Sequence, residues 1–268
     1  MKLQNKTVLL TGAAGGIGQA IARQLAADGA RMILVGRNEA VLESLRLGLA
    51  NRCEGEHLSL AADITESAGR QCLYEYCKSL PDGIDVLINN AGLSEFGLLE
   101  RSDETRLQQL MMTNLTAPML LTAILLPLLK QRSEATIVNI GSIFGSIGHP
   151  GFSAYCASKF GIRGFSEALR RELADTAVQV LYFAPRATRT SINSAAVNAM
   201  NAELGNAMDE PDQVAASLVK QLHCKSLRER YLGWPERLFV KVNGILPRLV
   251  DGALSKKLPV IRRFCDQP

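Results

Sequence analysis

The sequence predicts an α/β fold built on one doubly wound parallel sheet in three layers, and three observations carry that reading. Short β-branched or Leu-rich runs alternate with longer helical patterns from the first residues on. Most of the runs are continuously apolar rather than alternating, which suits strands covered by helices on both faces. The first run passes straight into a glycine-rich turn that opens a helix. At 268 residues the chain is long enough to bury a full core. A composition of 47% hydrophobic and 21% charged residues is ordinary globular usage and excludes a disordered or collagenous chain.

Strands are expected at residues 7–10, 31–35, 57–61, 86–89, 136–140 and 178–183. Between them residues 17–27, 39–50, 66–79, 103–129 and 153–174 show helical spacing, with Ile21 and Leu25 on one face of the first. A further helix starts at Glu210-Pro211, where proline suits the first turn, and a short seventh strand near 231–233 closes the sheet edge. The most apolar stretch, 117–129, holds Pro118 and Pro127 and ends at Lys130. It falls short of the roughly 20 residues that span a bilayer and reads as a buried helix. No linker interrupts residues 1–234, which read as one domain, and 235–268 read as an extension.

Cys53, Cys72, Cys77, Cys156, Cys224 and Cys265 form no CxxC pair and lie at no ligand spacing from a histidine, so no metal site is expected. The N-terminal MKLQNKTVLLTG lacks a secretory apolar region, and reduced thiols in the cytoplasm are expected. A formal charge of +4 with 5% aromatic residues argues against nucleic-acid binding.

The turn after the first strand reads Thr11-Gly12-Ala13-Ala14-Gly15-Gly16-Ile17-Gly18. Glycines there let backbone approach a pyrophosphate, and the following helix offers free N–H groups and the positive end of its dipole. Glycines also make tight turns with no ligand, but a place between strand and helix favours a dinucleotide. At the end of the second strand Val35-Gly36-Arg37-Asn38 puts Gly where an acidic side chain would bond a ribose 2′-OH. Arg37 suits a 2′-phosphate, so NADP(H) is favoured over NAD(H), against the plainer reading of Arg37 as a solvated helix-start residue.

Tyr155-Cys156-Ala157-Ser158-Lys159 sets Tyr155 and Lys159 at i and i+4 on one helix face, with Ser142 just past the fifth strand. A phenol is a poor base at neutral pH, but an adjacent ammonium and a cationic nicotinamide would favour phenolate. Ser142 would hydrogen-bond the substrate oxygen while Tyr155 exchanges its proton. Cys156 reads as a small core residue.

With TGAAGGIG, Asn89-Asn90-Ala91-Gly92, Ser142 and YCASK in this order, residues 5–233 resemble the short-chain dehydrogenase/reductase family. The resemblance implies a Rossmann-type fold and an oxidoreductase interconverting a ketone or aldehyde and an alcohol. It implies that Asn114 completes the catalytic set by placing a water beside Lys159, and that Asn90, Ala91 and Gly92 lie beside the cofactor. It also implies that Asp63, with Ile64 after it, contacts the adenine. The family has Pro-Gly after the sixth strand, where this chain has Pro185-Arg186, with Thr190 in the expected place. A solvated Arg186 is favoured over a substrate anchor. Residues 191–208 would form a mobile flap over the substrate, and His149 reads as an exposed loop residue.

Beyond Pro235, Leu238, Phe239, Val242, Ile245, Leu246, Leu249, Val250, Ala253 and Leu254 form the apolar stripe of an amphipathic helix bent at Pro247. The extension holds seven basic and three acidic residues, so the remaining 234 residues sum to zero charge. It is expected to dock on its own subunit or a twin, in a homodimer or homotetramer. The competing reading is peripheral attachment to the inner face of a membrane, with Lys256, Lys257, Arg262 and Arg263 on the rim. The expected activity is reduction of an apolar or acyl-type carbonyl. The alternative is an NADP(H)-binding scaffold or redox sensor at a membrane, which would not require Ser142, Tyr155 and Lys159.

Overall fold

A computed structural model describes residues 1–50 and 56–265 of the chain, so Cys53 and Asp266 lie outside the described residues. Its strands are β1 (Thr7–Thr11), β2 (Arg31–Gly36), β3 (Leu58–Ala61), β4 (Val86–Asn89), β5 (Ala135–Ile140), β6 (Val178–Ala184) and β7 (Glu229–Tyr231). They form one sheet in the order β3-β2-β1-β4-β5-β6-β7, every neighbouring pair parallel. The order reverses between β1 and β4, and a crevice opens beyond the carboxyl ends of the strands at such a point.

The helices are α1 (Gly16–Ala27), α2 (Glu39–Ala50), α3 (Ser67–Ser79), α4 (Glu104–Met111), α5 (Ala117–Leu129), α6 (Ser153–Glu172), α7 (Ala195–Glu203), α8 (Pro211–Leu222), α9 (Glu236–Ile245) and α10 (Pro247–Cys265). Successive side chains of β1 serve opposite faces of the sheet. Val8 and Leu10 pack with Ile21 and Leu25 of α1, Leu42 of α2 and Leu218 of α8. Leu9 packs with Leu73 of α3, Leu121 and Leu125 of α5 and Leu169 of α6. Each such side chain taken wholly from water contributes about 2 kcal/mol. Helix α8 starts as expected, with Pro211 in its first turn and a reciprocal cap between Glu210 and Gln213.

The structure departs from the expected elements at four places. The helix expected over 103–129 is interrupted by a π-helical turn, Met112–Thr116, between α4 and α5, while Asp103 caps its start by accepting from the Arg106 amide at 2.9 Å. The run Glu104–Leu129 is 26 residues long and, by length and composition alone, apolar enough to cross a membrane, although 117–129 by itself is too short. In this fold Leu121, Leu125 and Leu129 of α5 are buried in the core. Strand β7 lies at 229–231 rather than 231–233. The flap contains α7, capped by Ser194, whose hydroxyl accepts from Val197 N at 3.2 Å.

In the C-terminal extension the turn between α9 and α10 falls at Leu246, and Pro247 begins the second helix rather than bending a single one. Both helices return onto the chain. Val250 packs with Ile143 and Ile147, and Asn243 donates to the Ser146 carbonyl at 2.9 Å. Ile261 and Phe264 pack with Phe152, Val197 and Met200, which pins the flap helix beneath α10. Trp234, just before α9, is 71% exposed.

Candidate active site

The turn after β1 is shaped by close backbone approach. Gly12 has φ +63°, and a Cβ on it would fall 2.7 Å from Ala91 Cα. A Cβ on Gly18 would overlap the Gly12 carbonyl oxygen. Thr11 Oγ1 accepts from the amides of Asn90 at 3.0 Å and Ala91 at 3.1 Å. Asn90 Nδ2 donates to the carbonyls of Thr11 and Gly12, each at 3.1 Å, and so clamps the turn to the end of β4. One residue back, Asn89 Nδ2 bonds Thr122 and Asn139, which in turn donates to Ser166, tying β4 and β5 to α5 and α6.

This turn opens onto a cleft of about 440 Å³ lined by Gly12, Ala14, Gly15, Gly16, Ile17, Gly18, Arg37, Asn38, Asp63, Ile64, Asn90, Ala91, Gly92 and Thr190. The expected cofactor residues outside it, Tyr155, Lys159 and Pro185, line an adjoining cavity of about 650 Å³. Ile17, Asn90, Gly92 and Thr190 belong to both walls, so cleft and cavity are continuous. Thr190 Oγ1 is buried at that junction with no hydrogen-bond partner. An orphaned hydroxyl there, beside glycines that leave backbone bare, fits an elongated ligand with polar groups. Asn38, on the cleft wall, also caps the start of α2, its side chain accepting from Val41 N at 3.1 Å. Burial raises the Asp63 carboxyl, but hydrogen bonds from Thr65 N at 2.9 Å and Oγ1 at 2.7 Å, with Arg37 nearby, hold it below its usual range.

Ser142 follows β5, and its Oγ accepts from Phe144 N at 3.1 Å, capping a short 3₁₀ turn. Helix α6 carries Tyr155 and Lys159 one turn apart toward the same cavity wall. Lys159 Nζ donates to the Ile140 carbonyl at 3.1 Å and stands 5.7 Å from the centre of the Tyr155 ring. Burial lowers the Lys159 pKa to about 8. Desolvation raises Tyr155 to about 12 despite the opposing hydrogen bond from Ser142.

Asn114 is buried inside the π-helical turn. Its Oδ1 accepts from Leu93 N at 2.7 Å, and its Nδ2 donates to Leu93 O at 2.9 Å and Ser158 Oγ at 3.0 Å. Both ends of the amide are thus engaged between the loop after β4 and α6, next to Lys159. The extra backbone residue of a π turn re-aims a side chain in this manner.

Three further residues correct the sequence reading. Arg186 is not solvated: its side chain is 18% exposed, with Nη2 at 2.7 Å from Asp209 and Nη1 at 3.3 Å from Glu236. It ties the loop after β6 to the end of the flap and to α9. His149 is half-buried, stacks on Phe144 at 4.7 Å and lines the cavity, and burial lowers its pKa with nearby Lys257 acting in the same direction. Lys257 lines the cavity as well instead of sitting on an outer rim. Its position three residues after Leu254 and seven after Val250 is the signal that places it on the inward face of α10.

The short chain dehydrogenase family profile matches residues 6–201. Over 183 residues the chain is 36% identical to the 3-oxoacyl-(acyl-carrier-protein) reductase FabG of Haemophilus influenzae, covering 68% of this chain and 74% of that one. A solved short-chain dehydrogenase from Streptomyces avermitilis matches with TM-score 0.80 and 27% identity, covering 97% of this chain and 98% of that chain, a span that reaches into the C-terminal helices. A short-chain dehydrogenase from Sphingobium yanoikuyae, solved in complex with NADPH, matches with TM-score 0.78 and 27% identity over 92% of this chain and 95% of that one. With its sheet order, glycine-lined cleft and profile match in agreement, this chain belongs to the short chain dehydrogenase family and is an oxidoreductase of that family.

Proposed function

We propose that the protein is an NADP(H)-dependent reductase that converts an apolar or acyl-type ketone or aldehyde into the alcohol. One observation carries the reading: Ser142, Tyr155 and Lys159 meet on the wall of a largely apolar cavity that runs into the glycine-lined cleft. Similarity to an acyl-carrier-protein reductase and to a structure holding NADPH supports it. Exposed Arg37, following Gly36 where no acidic side chain stands, supports a 2′-phosphate over a free 2′-OH.

Gly12, Gly15, Gly16, Gly18, Asn90, Asp63 and Thr190 would hold NADPH, which supplies the hydride. Ser142 donates a hydrogen bond to the substrate carbonyl oxygen and keeps it within reach of Tyr155 Oη. A phenol held near pKa 12 keeps its proton at neutral pH and gives it up only to an oxygen becoming alkoxide. Lys159, with its pKa near 8, then stabilises the phenolate and can return a proton to it. Asn114 is a positioning residue that fixes α6 against the loop after β4. The flap and α10 exclude water from above.

The test is NADPH oxidation over a panel of ketones and aldehydes of graded chain length, with Tyr155→Phe alongside. Turnover should rise with apolar chain length and fall in Tyr155→Phe by about 10²–10⁴-fold while NADPH binding is retained. NADPH binding without turnover of any carbonyl, or an active Tyr155→Phe, would overturn the reading.

A further inference from the structure

We propose that the elbow between α9 and α10 docks on an anionic lipid surface, and that apolar substrate enters the cavity at this elbow. The second half rests on the carbonyl-reductase reading above, whereas the first stands without it.

Large exposed apolar side chains concentrate in one short segment. Trp234, Leu238, Phe239, Ile245, Leu246 and Leu249 are all exposed, Ile245 by 78% and Leu249 by 62%. The core of the fold does not need them, because Val250, Ile261 and Phe264 already anchor the two helices. An exposed apolar ridge of this kind marks an interaction surface.

The charges beside the ridge identify what it meets. Arg237, Lys241 and Arg248 are exposed, and none has an ion-pair partner among the described residues. Glu236, the acidic residue closest to them in sequence on α9, is engaged by Arg186. Leu238, Lys241 and Ile245 share one face of α9, so cation and apolar group point the same way. An apolar face flanked by unpaired cations, with a tryptophan at its edge, has the chemistry of a helix lying in the interface of an anionic bilayer. A second copy of the chain fits less well, since a twofold contact through the ridge would set these three cations against their own duplicates.

The ridge is also the rim of the substrate cavity. Phe239 and Leu249 are exposed on the outside and line the cavity on the inside. A carbonyl compound dissolved in the bilayer would therefore meet continuous apolar surface from membrane to the Tyr155 wall.

The test uses the full chain with NADPH, floated with vesicles of phosphatidylcholine alone or of equimolar phosphatidylcholine and phosphatidylglycerol. At low salt the protein should prefer the anionic vesicles by about 100-fold, since each of three cations near such a surface contributes about fivefold. Ile245→Glu/Leu246→Glu should remain folded and lose vesicle binding, and Arg237→Gln/Lys241→Gln/Arg248→Gln should lose the preference for anionic lipid. In the same Glu variant the rate on a vesicle-dissolved long-chain ketone should fall relative to a water-soluble one. Wild type left unbound by both vesicles, or a ridge-dependent dimer in sedimentation velocity without vesicle binding, overturns the docking. Vesicle binding with an unchanged rate ratio overturns the route of access alone. Lipid binding without turnover of any carbonyl leaves the docking standing and overturns the reductase reading.

Discussion

Replacing Lys159 by Met should make the protein more stable at neutral pH while disabling it. The buried ammonium has its pKa lowered from 10.5 to about 8, and each pKa unit is about 1.4 kcal/mol of differential interaction, so its burial costs about 3 kcal/mol below pH 8. The variant forfeits the hydrogen bond to the Ile140 carbonyl, worth about 1 kcal/mol, leaving a net gain of about 2 kcal/mol. At about 2.1 cal/mol/K of unfolding entropy per residue, that raises Tm by roughly 4 °C for a chain of this size. The pH dependence has a fixed sign. Between about pH 8 and 10.5 the unfolded chain holds the Lys159 proton and the folded chain does not, so wild-type stability rises with pH through this window. Calorimetric melts of both proteins across that range should show the gap widest at pH 7 and closing toward pH 10.5. A variant that melts at or below wild type at pH 7, or a gap that does not change with pH, refutes the assignment of a strained, desolvated ammonium.

Two other substitutions probe the cleft and the clamp. Arg37→Glu should shift the ratio of kcat/KM for NADPH over NADH by about 10–100-fold toward NADH, since a charge-assisted bond to phosphate is replaced by repulsion; an unchanged ratio in steady-state kinetics removes Arg37 from the cofactor site. Arg186→Gly leaves Asp209 and Glu236 half-buried without their cation, which should cost about 1–3 kcal/mol and speed hydrogen exchange across residues 205–210 and 236–245. Unaltered exchange in both segments would show that Arg186 does not tie flap and tail together.

What could be read from the residues in advance follows from how local the causes are. The glycines of 12–18 and the Tyr155–Lys159 spacing act through backbone geometry within a few residues, and the strands of the central sheet announce themselves by continuous apolar runs. The π-helical turn around Asn114 has no such local mark: it lies where α4 and the turn itself pack on α6. The pairing of Arg186 joins residues 23 and 50 positions away, and only the folded chain reveals that a side chain read as solvated is enclosed by two carboxylates. The surroundings of Tyr155 and Lys159 are non-local in the same way. An ammonium one turn away is visible in the sequence, whereas the burial that raises the phenol and lowers the ammonium is a property of the folded chain. In the tail, the apolar stripe foretells a single bent helix without telling that it breaks in two at Leu246 or which of its members turn inward.

The exposed Trp234 gives the molecule an optical property of its own. It is the only tryptophan in the chain and stands at the root of the C-terminal helices, where its carbonyl accepts from Arg186 at 3.4 Å. All indole emission therefore originates at one place, the start of the C-terminal helices. A blue shift on adding vesicles would report on docking of that segment without any label and without background from the core.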